Sequence, residues 1–199
     1  MASAFNSDQS MWVDVIHAVL REEKFNVHLG DMNYVFRNMI AKYASSTDQY
    51  YVSEGVEDLI DTQPVFEVAR NAKGPLNLRK LFYGAKSESS KLGKPTMFEH
   101  SIPVAVVRDE LLKAREKLYS SGCSEVNFRA DVESILKLSG RVVIVLKEED
   151  KRLSRSKMPS TWNYFSDDNE NDLERYSLAS PPVRISPKYK LYRDKHICR

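Results

Sequence analysis

Residues 124–146, SEVNFRADVESILKLSGRVVIVL, decide the fold class. Ser124 is a favourable N-cap, and Val126, Val132, Ile135, Leu136 and Leu138 mark the apolar side of a helix. Gly140 ends that helix. Arg141 to Leu146 (RVVIVL) then runs apolar without alternation, the pattern of a strand buried on both faces. A helix feeding directly into a buried strand places the chain among mixed α and β proteins.

The same reading extends outward. Ser121-Gly122-Cys123 stops an earlier helix that starts at Pro103 and runs to about Tyr119. Its apolar residues are Val104, Val107, Leu111, Leu112 and Leu118. Thr96 to His100 precedes it as a short strand. Nearer the N-terminus, residues 10–44 read as helix. Trp12, Val15, Ile16, Val19 and Leu20 recur at three- and four-residue steps. Asn26 to Gly30 is a break, after which Asp31 caps a second helix carrying Tyr34, Val35, Ile40 and Tyr43. Tyr50-Tyr51-Val52 is β-prone, and Ser53 caps a third helix reaching Asp61, before Pro64. Residues 71–75 form a turn, 76–83 a short helix ending at Gly84, and 85–95 an exposed polar loop. The expected fold is α+β: a helix-rich single domain with a few short strands and a peripheral C-terminal segment. Residues 1–146 are the expected core. Residues 147–199 are a charged segment packing on that core or projecting from it, and Trp162, Tyr164, Phe165 and Tyr176 favour packing.

Composition narrows the class. The chain has 199 residues, 42% hydrophobic and 29% charged, as in ordinary soluble domains. A chain of this length buries roughly two-thirds of its unfolded surface, so a core forms without disulfides or metal. Two cysteines, Cys123 and Cys198, make no disulfide framework and lack metal-ligand spacing. No apolar window approaches the ~20 residues of a membrane span. With no secretory or lipidation signal, a cytoplasmic protein with reduced thiols is expected. The net charge of +2 implies no partner by itself, but its distribution is uneven. Residues 1–62 hold four Lys/Arg against ten Asp/Glu, whereas 63–140 and 141–199 each hold thirteen against nine.

Three places carry candidate chemistry. Glu99 and His100 lie at a strand end just before a helix, and a histidine beside a carboxylate suits a general base. The order Glu99-His100-Ser-Ile-Pro103, or [D/E]-H-x-x-P, resembles the first motif of the HNH (ββα-metal) nucleases. The resemblance covers five residues. It implies that His100 activates water and that Glu99 helps to hold a divalent metal, the one cofactor this reading requires. Asn127 stands 27 residues on as a middle Asn. Ile135 and Leu136 then occupy the place of a further His or Asn, and a helix replaces the hairpin. The second place is Lys147-Glu148-Glu149-Asp150, where Glu148 and Glu149 at a strand end are candidate metal ligands. A solvated helix start, whose acids offset the helix dipole, explains the same residues.

The third place is the basic tail, where Lys188, Tyr189, Lys190, Tyr192, Arg193 and Lys195 interleave phosphate-binding and stacking side chains. The central-loop lysines Lys86, Lys91 and Lys94 join it in this reading. The competing reading is a basic strand docked on the acidic N-terminal helices or on the acids between Asp167 and Glu174. No phosphate-loop, dinucleotide, nucleophile-elbow or zincin motif occurs. The leading expectation is therefore a soluble intracellular accessory protein, of the kind found in bacterial or phage operons, acting through a protein partner. The alternatives are a small metal-dependent nuclease centred on Glu99 and His100, and a non-catalytic nucleic-acid-binding module. The sequence leaves the oligomeric state open.

Overall fold

The computed structural model describes residues 5–71, 73–78, 81, 92, 95–160, 162 and 171–193. The fold is α+β and helix-rich, with a four-stranded mixed sheet. The chain divides into two compact units, each made of three separate stretches.

The first unit comprises Met1–Thr47, His100–Gly140 and Ser154–Glu174. Its framework is four helices: α1 (Ser7–Arg21), α2 (Gly30–Ser45), and two later ones, Val104–Ser120 and Glu125–Ser139. The N-terminus of α1 is closed by a capping box. The Asn6 side chain accepts the Gln9 N–H at 2.8 Å, and the Gln9 side chain accepts the Asn6 N–H. The buried face of α1 is Val13, Ile16 and Leu20, while Trp12, Val15 and Val19 are only half-buried. In α2 the buried residues are Phe36, Ile40, Tyr43 and Ala44, an i, i+4, i+7, i+8 set. Tyr34 and Val35 lie off that stripe and are 69% and 48% exposed, contrary to the sequence reading. Asp31 falls inside the first turn and Leu29 is the cap, without a side-chain bond.

The fold's second helical pair repeats the lesson. Val107, Leu111 and Ala114 are buried on Val104–Ser120, and Val104, Leu112 and Leu118 are half-buried. On Glu125–Ser139 the buried stripe is Phe128, Val132, Ile135, Leu136 and Ser139. Val126 is 76% exposed, because it lies two residues before Phe128 and so on a different side of the helix. Ser124 caps this helix as expected, accepting the Asn127 N–H at 3.2 Å.

The second unit comprises Asp48–Glu99, Arg141–Leu153 and Arg175–Arg199. It contains β1 (Gln49–Ser53), α3 (Glu54–Thr62), the single turn α4 (Glu67–Arg70), and β2 (Thr96–His100), whose last residue falls to the first unit. The two long helices of the first unit, α5 (Val104–Ser120) and α6 (Glu125–Ser139), come next in the chain. The second unit resumes with β3 (Val142–Leu146) and the single turn α7 (Lys147–Asp150). It ends with α8 (Glu174–Ser177), whose first residue belongs to the first unit, and β4 (Ile185–Tyr192). The strand order is β2-β3-β1-β4. β1 and β3 are parallel, pairing Tyr50 with Val142, Tyr51 with Val143 and Val52 with Ile144. β4 runs antiparallel to β1, pairing Gln49 with Tyr192, Tyr50 with Leu191 and Tyr51 with Lys190. α3 packs on β1, β3 and β4.

The continuous apolar run of β3 is explained by its place inside the sheet. Val142, Val143, Ile144 and Val145 are all buried. Each such side chain contributes roughly 1.5–3 kcal/mol over an exposed one. β4 is the strand that apolar patterning misses. Its Lys188, Lys190 and Pro187 are edge-strand residues, which discourage further pairing. The expected helix at 76–83, the loop at 85–95 and the aromatics Tyr164 and Phe165 lie mostly or wholly outside the described residues.

Candidate functional site

Glu99 and His100 are consecutive strand residues, so their side chains leave β2 in opposite directions. His100 is half-buried, and its Nε2 lies 3.4 Å from the Ala41 carbonyl oxygen. Glu99 is half-buried and instead meets Arg175, which is buried and whose Nη2 donates to Oε1. Burial holds the Glu99 carboxyl above the usual carboxylate range. The Arg175 guanidinium pulls the other way, and a hydrogen bond with the Asp150 carboxyl raises it again. Half-buried Glu99 and buried Asp150 and Arg175 thus form a cluster of two carboxyls and one guanidinium. Burial disfavours the charged form of Glu99, and the Arg175 guanidinium favours it.

The neighbouring acids of α7 have divergent surroundings. Glu148 is exposed, and Glu149 is buried. The Glu149 Oε2 accepts from the Ser53 hydroxyl at 2.5 Å and from the Leu146 N–H at 2.8 Å. Ser53 in turn accepts the Val56 N–H, so Glu149 fastens the starts of α3 and α7 to each other. Gly55 makes this approach feasible. A Cβ there would lie 2.7 Å from Leu146 Cδ1 and 2.9 Å from Glu149 Oε1, closer than real contacts allow. Among the described residues there is no group of three His, Cys, Asp or Glu placed to hold a metal ion.

The basic tail residues separate into two groups along β4. Lys188 Nζ and the Tyr189 hydroxyl both donate to the Asp61 carboxylate of α3, each at 2.5 Å. The hydrogen bond from Lys188 holds Asp61 below the ordinary carboxylate range. Ser186 donates to Glu57 on the same helix. Lys190 lies instead over the Tyr51 ring, with its Nζ 5.5 Å from the centroid. Tyr192 is 39% exposed and donates its backbone N–H to Leu76. The Arg193 N–H donates to the Asp48 carbonyl. Lys195, Lys86, Lys91, Lys94 and the acids Asp167, Asp168 and Glu170 lie outside the described residues.

Apolar patterning did not single out one further feature. In the first unit an open groove of about 650 Å³ runs between the α1–α2 connection and α5. Val27, Leu112 and Tyr119 supply its apolar wall, and Glu23 and Glu116 its acids. Its cation, Arg115, is engaged with the backbone. The guanidinium donates to the carbonyls of Leu20 and Glu22, at the C-terminus of α1, and lies 4.9 Å from the Tyr119 centroid. Leu29 and Met32, the next apolar residues along the chain, are exposed, and Met32 Sδ accepts the Asn26 N–H. The signal available in the sequence was the half-apolar face of α5, where Leu112 and Tyr119 sit one helical stripe away from Val107, Leu111 and Ala114.

Comparisons with protein-family models, with curated proteins and with solved structures give no match to this chain. Among the described residues no helix is long and apolar enough to cross a membrane.

Proposed function

We propose that the chain is a non-catalytic interaction protein that captures a protein partner in the groove between the α1–α2 connection and α5. The observation that carries this reading is the groove's composition: an apolar wall of Val27, Leu112 and Tyr119 with two acids in the lining, and exposed Leu29 and Met32 following close in the chain. Its one cation, Arg115, is fastened to backbone carbonyls, and Glu23 with Glu116 leaves the lining with one negative charge in excess. The occupant that matches is an amphipathic helical segment with apolar anchors on one face and Lys or Arg beside them. The groove's half-apolar, open shape suits a segment laid along it rather than an enclosed small molecule.

A display library of helical peptides, panned against the full chain, tests this. Enriched peptides should share apolar residues at i, i+4 and i+7 with flanking basic residues. Leu112→Asp should abolish their binding, and Glu23→Lys with Glu116→Lys should weaken it at least tenfold. Val68→Asp, at an exposed site in the second unit, should leave it unchanged. Peptides without a shared pattern, or binding indifferent to Leu112→Asp in a chain that still melts cooperatively, would sink the reading.

A further inference from the structure

β4 contributes more than an edge to the sheet. The antiparallel register sets Lys190 opposite Tyr51 and Tyr192 opposite Gln49. Opposed residues of paired strands share a face, and residues two apart along one strand do too. Gln49, Tyr51, Lys190 and Tyr192 therefore lie on one face of the sheet. Arg141, just before β3, joins them, with its guanidinium carbon 5.2 Å from the Tyr51 centroid. Lys190 approaches the same ring at 5.5 Å. Lys190 and Tyr192 are exposed, and Tyr51 and Arg141 are half-buried. The outcome is a patch in which two tyrosines alternate with two cations across adjacent strands.

From this patch we infer a binding site for single-stranded nucleic acid, formed by Tyr51, Arg141, Lys190 and Tyr192. The inference is independent of the protein-binding groove, since it uses different residues in the other unit. Tyrosine rings accept bases by stacking without regard to sequence. A guanidinium lying over a ring extends that stacking surface, while Lys190 neutralises phosphate. Lys188 and Tyr189, two and one residues before Lys190, are instead held by Asp61. Only part of the basic strand therefore serves the ligand. The two cations predict a shallow salt dependence, a slope of about −1.4 in log K against log salt for a single strand. An acidic peptide would satisfy the cations and leave the tyrosines idle, so the alternation of both residue types favours nucleic acid.

The test is fluorescence anisotropy of labelled dT12 and U12 with the full chain at low salt, with a 12-base-pair duplex and polyglutamate as competitors. The expected result is binding of one or both single strands, with the duplex competing poorly. Tyr192→Ala should weaken binding about tenfold, the order of one lost base stack. Lys190→Glu should weaken it at least as much, and Lys188→Glu should change it less than twofold. Lack of binding to both strands at low salt overturns the proposal. Equal losses from Lys188→Glu and Lys190→Glu would reduce the effect to diffuse charge and overturn it as well. Displacement by polyglutamate as effective as by unlabelled dT12, with Tyr192→Ala neutral, would assign the patch to an acidic protein instead.

Discussion

The four long helices of the first unit and the sheet of the second handle charge in opposite ways. In the helical unit the arginines stay near water and bond to what lies at helix ends or on neighbouring turns. Arg115 binds backbone carbonyls at the end of α1, and Arg129 bridges Asp14 and Glu133 on the surface. In the sheet unit charge goes inside. Arg175 is 4% exposed against Glu99, Asp150 lies beside that pair, and Glu149 is buried against Ser53. The difference follows from what each unit must satisfy. Helices close their own backbone bonds and need only an apolar stripe. The sheet unit gathers strand ends and short turns whose polar groups meet away from water, so each needs a partner.

The sharpest way to break this contrast is Arg175→Ala. It removes the guanidinium and leaves buried Asp150 beside half-buried Glu99 without a cation, so a loss of about 3 kcal/mol is expected in urea denaturation. A loss below 1 kcal/mol would show that water reaches the cluster and that the charge is not truly interior. The matched change in the helical unit, Arg115→Ala, should cost only about 1–2 kcal/mol by the same measurement, because water replaces it at the freed carbonyls. Equal losses for the two arginines would erase the distinction.

The smallest effect sharpens the contrast further, because it isolates a single proton. Glu99 has a raised folded-state value, so the folded chain holds its proton longer than the unfolded chain. Its contribution to stability is therefore greatest below pH 4.5, the ordinary value, and declines as pH rises through the raised one. Urea midpoints of wild type and Glu99→Gln, compared from pH 4 to pH 7, should show the wild-type advantage shrinking with rising pH. A constant difference would mean that folding leaves the proton affinity of Glu99 unchanged, and an advantage growing with pH would mean that Arg175 outweighs burial.

Legibility in the sequence followed the range of the interactions. Ser53 and Ser124 were readable as caps because a cap and the N–H that donates to it lie three residues apart. The strand at Val142–Leu146 was readable because burial on both faces writes itself into every side chain. The buried faces of α2 and α6 were misjudged by one or two positions. Tyr34, Val35 and Val126 are as apolar as their buried neighbours, and only packing distinguishes them. Arg175 was invisible as a partner of Glu99, since 76 residues separate them and Arg175 sits among acids that suggest a solvated stretch. The basic tail read as a uniform arm because Asp61, which claims Lys188 and Tyr189, lies on a helix far away in the sequence.

The strand order carries a consequence in time. β1 lies between β3 and β4, and its partners begin about 90 and about 140 residues further along the chain. During synthesis at roughly 5–20 residues per second, β1 waits several seconds for β3 and longer for β4. The α1–α2 hairpin finds its partner almost at once, across a connection of a few residues. The nascent chain thus spends its early life as helix with an unpaired strand, Gln49–Ser53, and its sheet closes last. Such long-range pairing makes the sheet the slow step of folding, and the stretch around Tyr50 and Val52 the segment most in need of protection until β3 arrives.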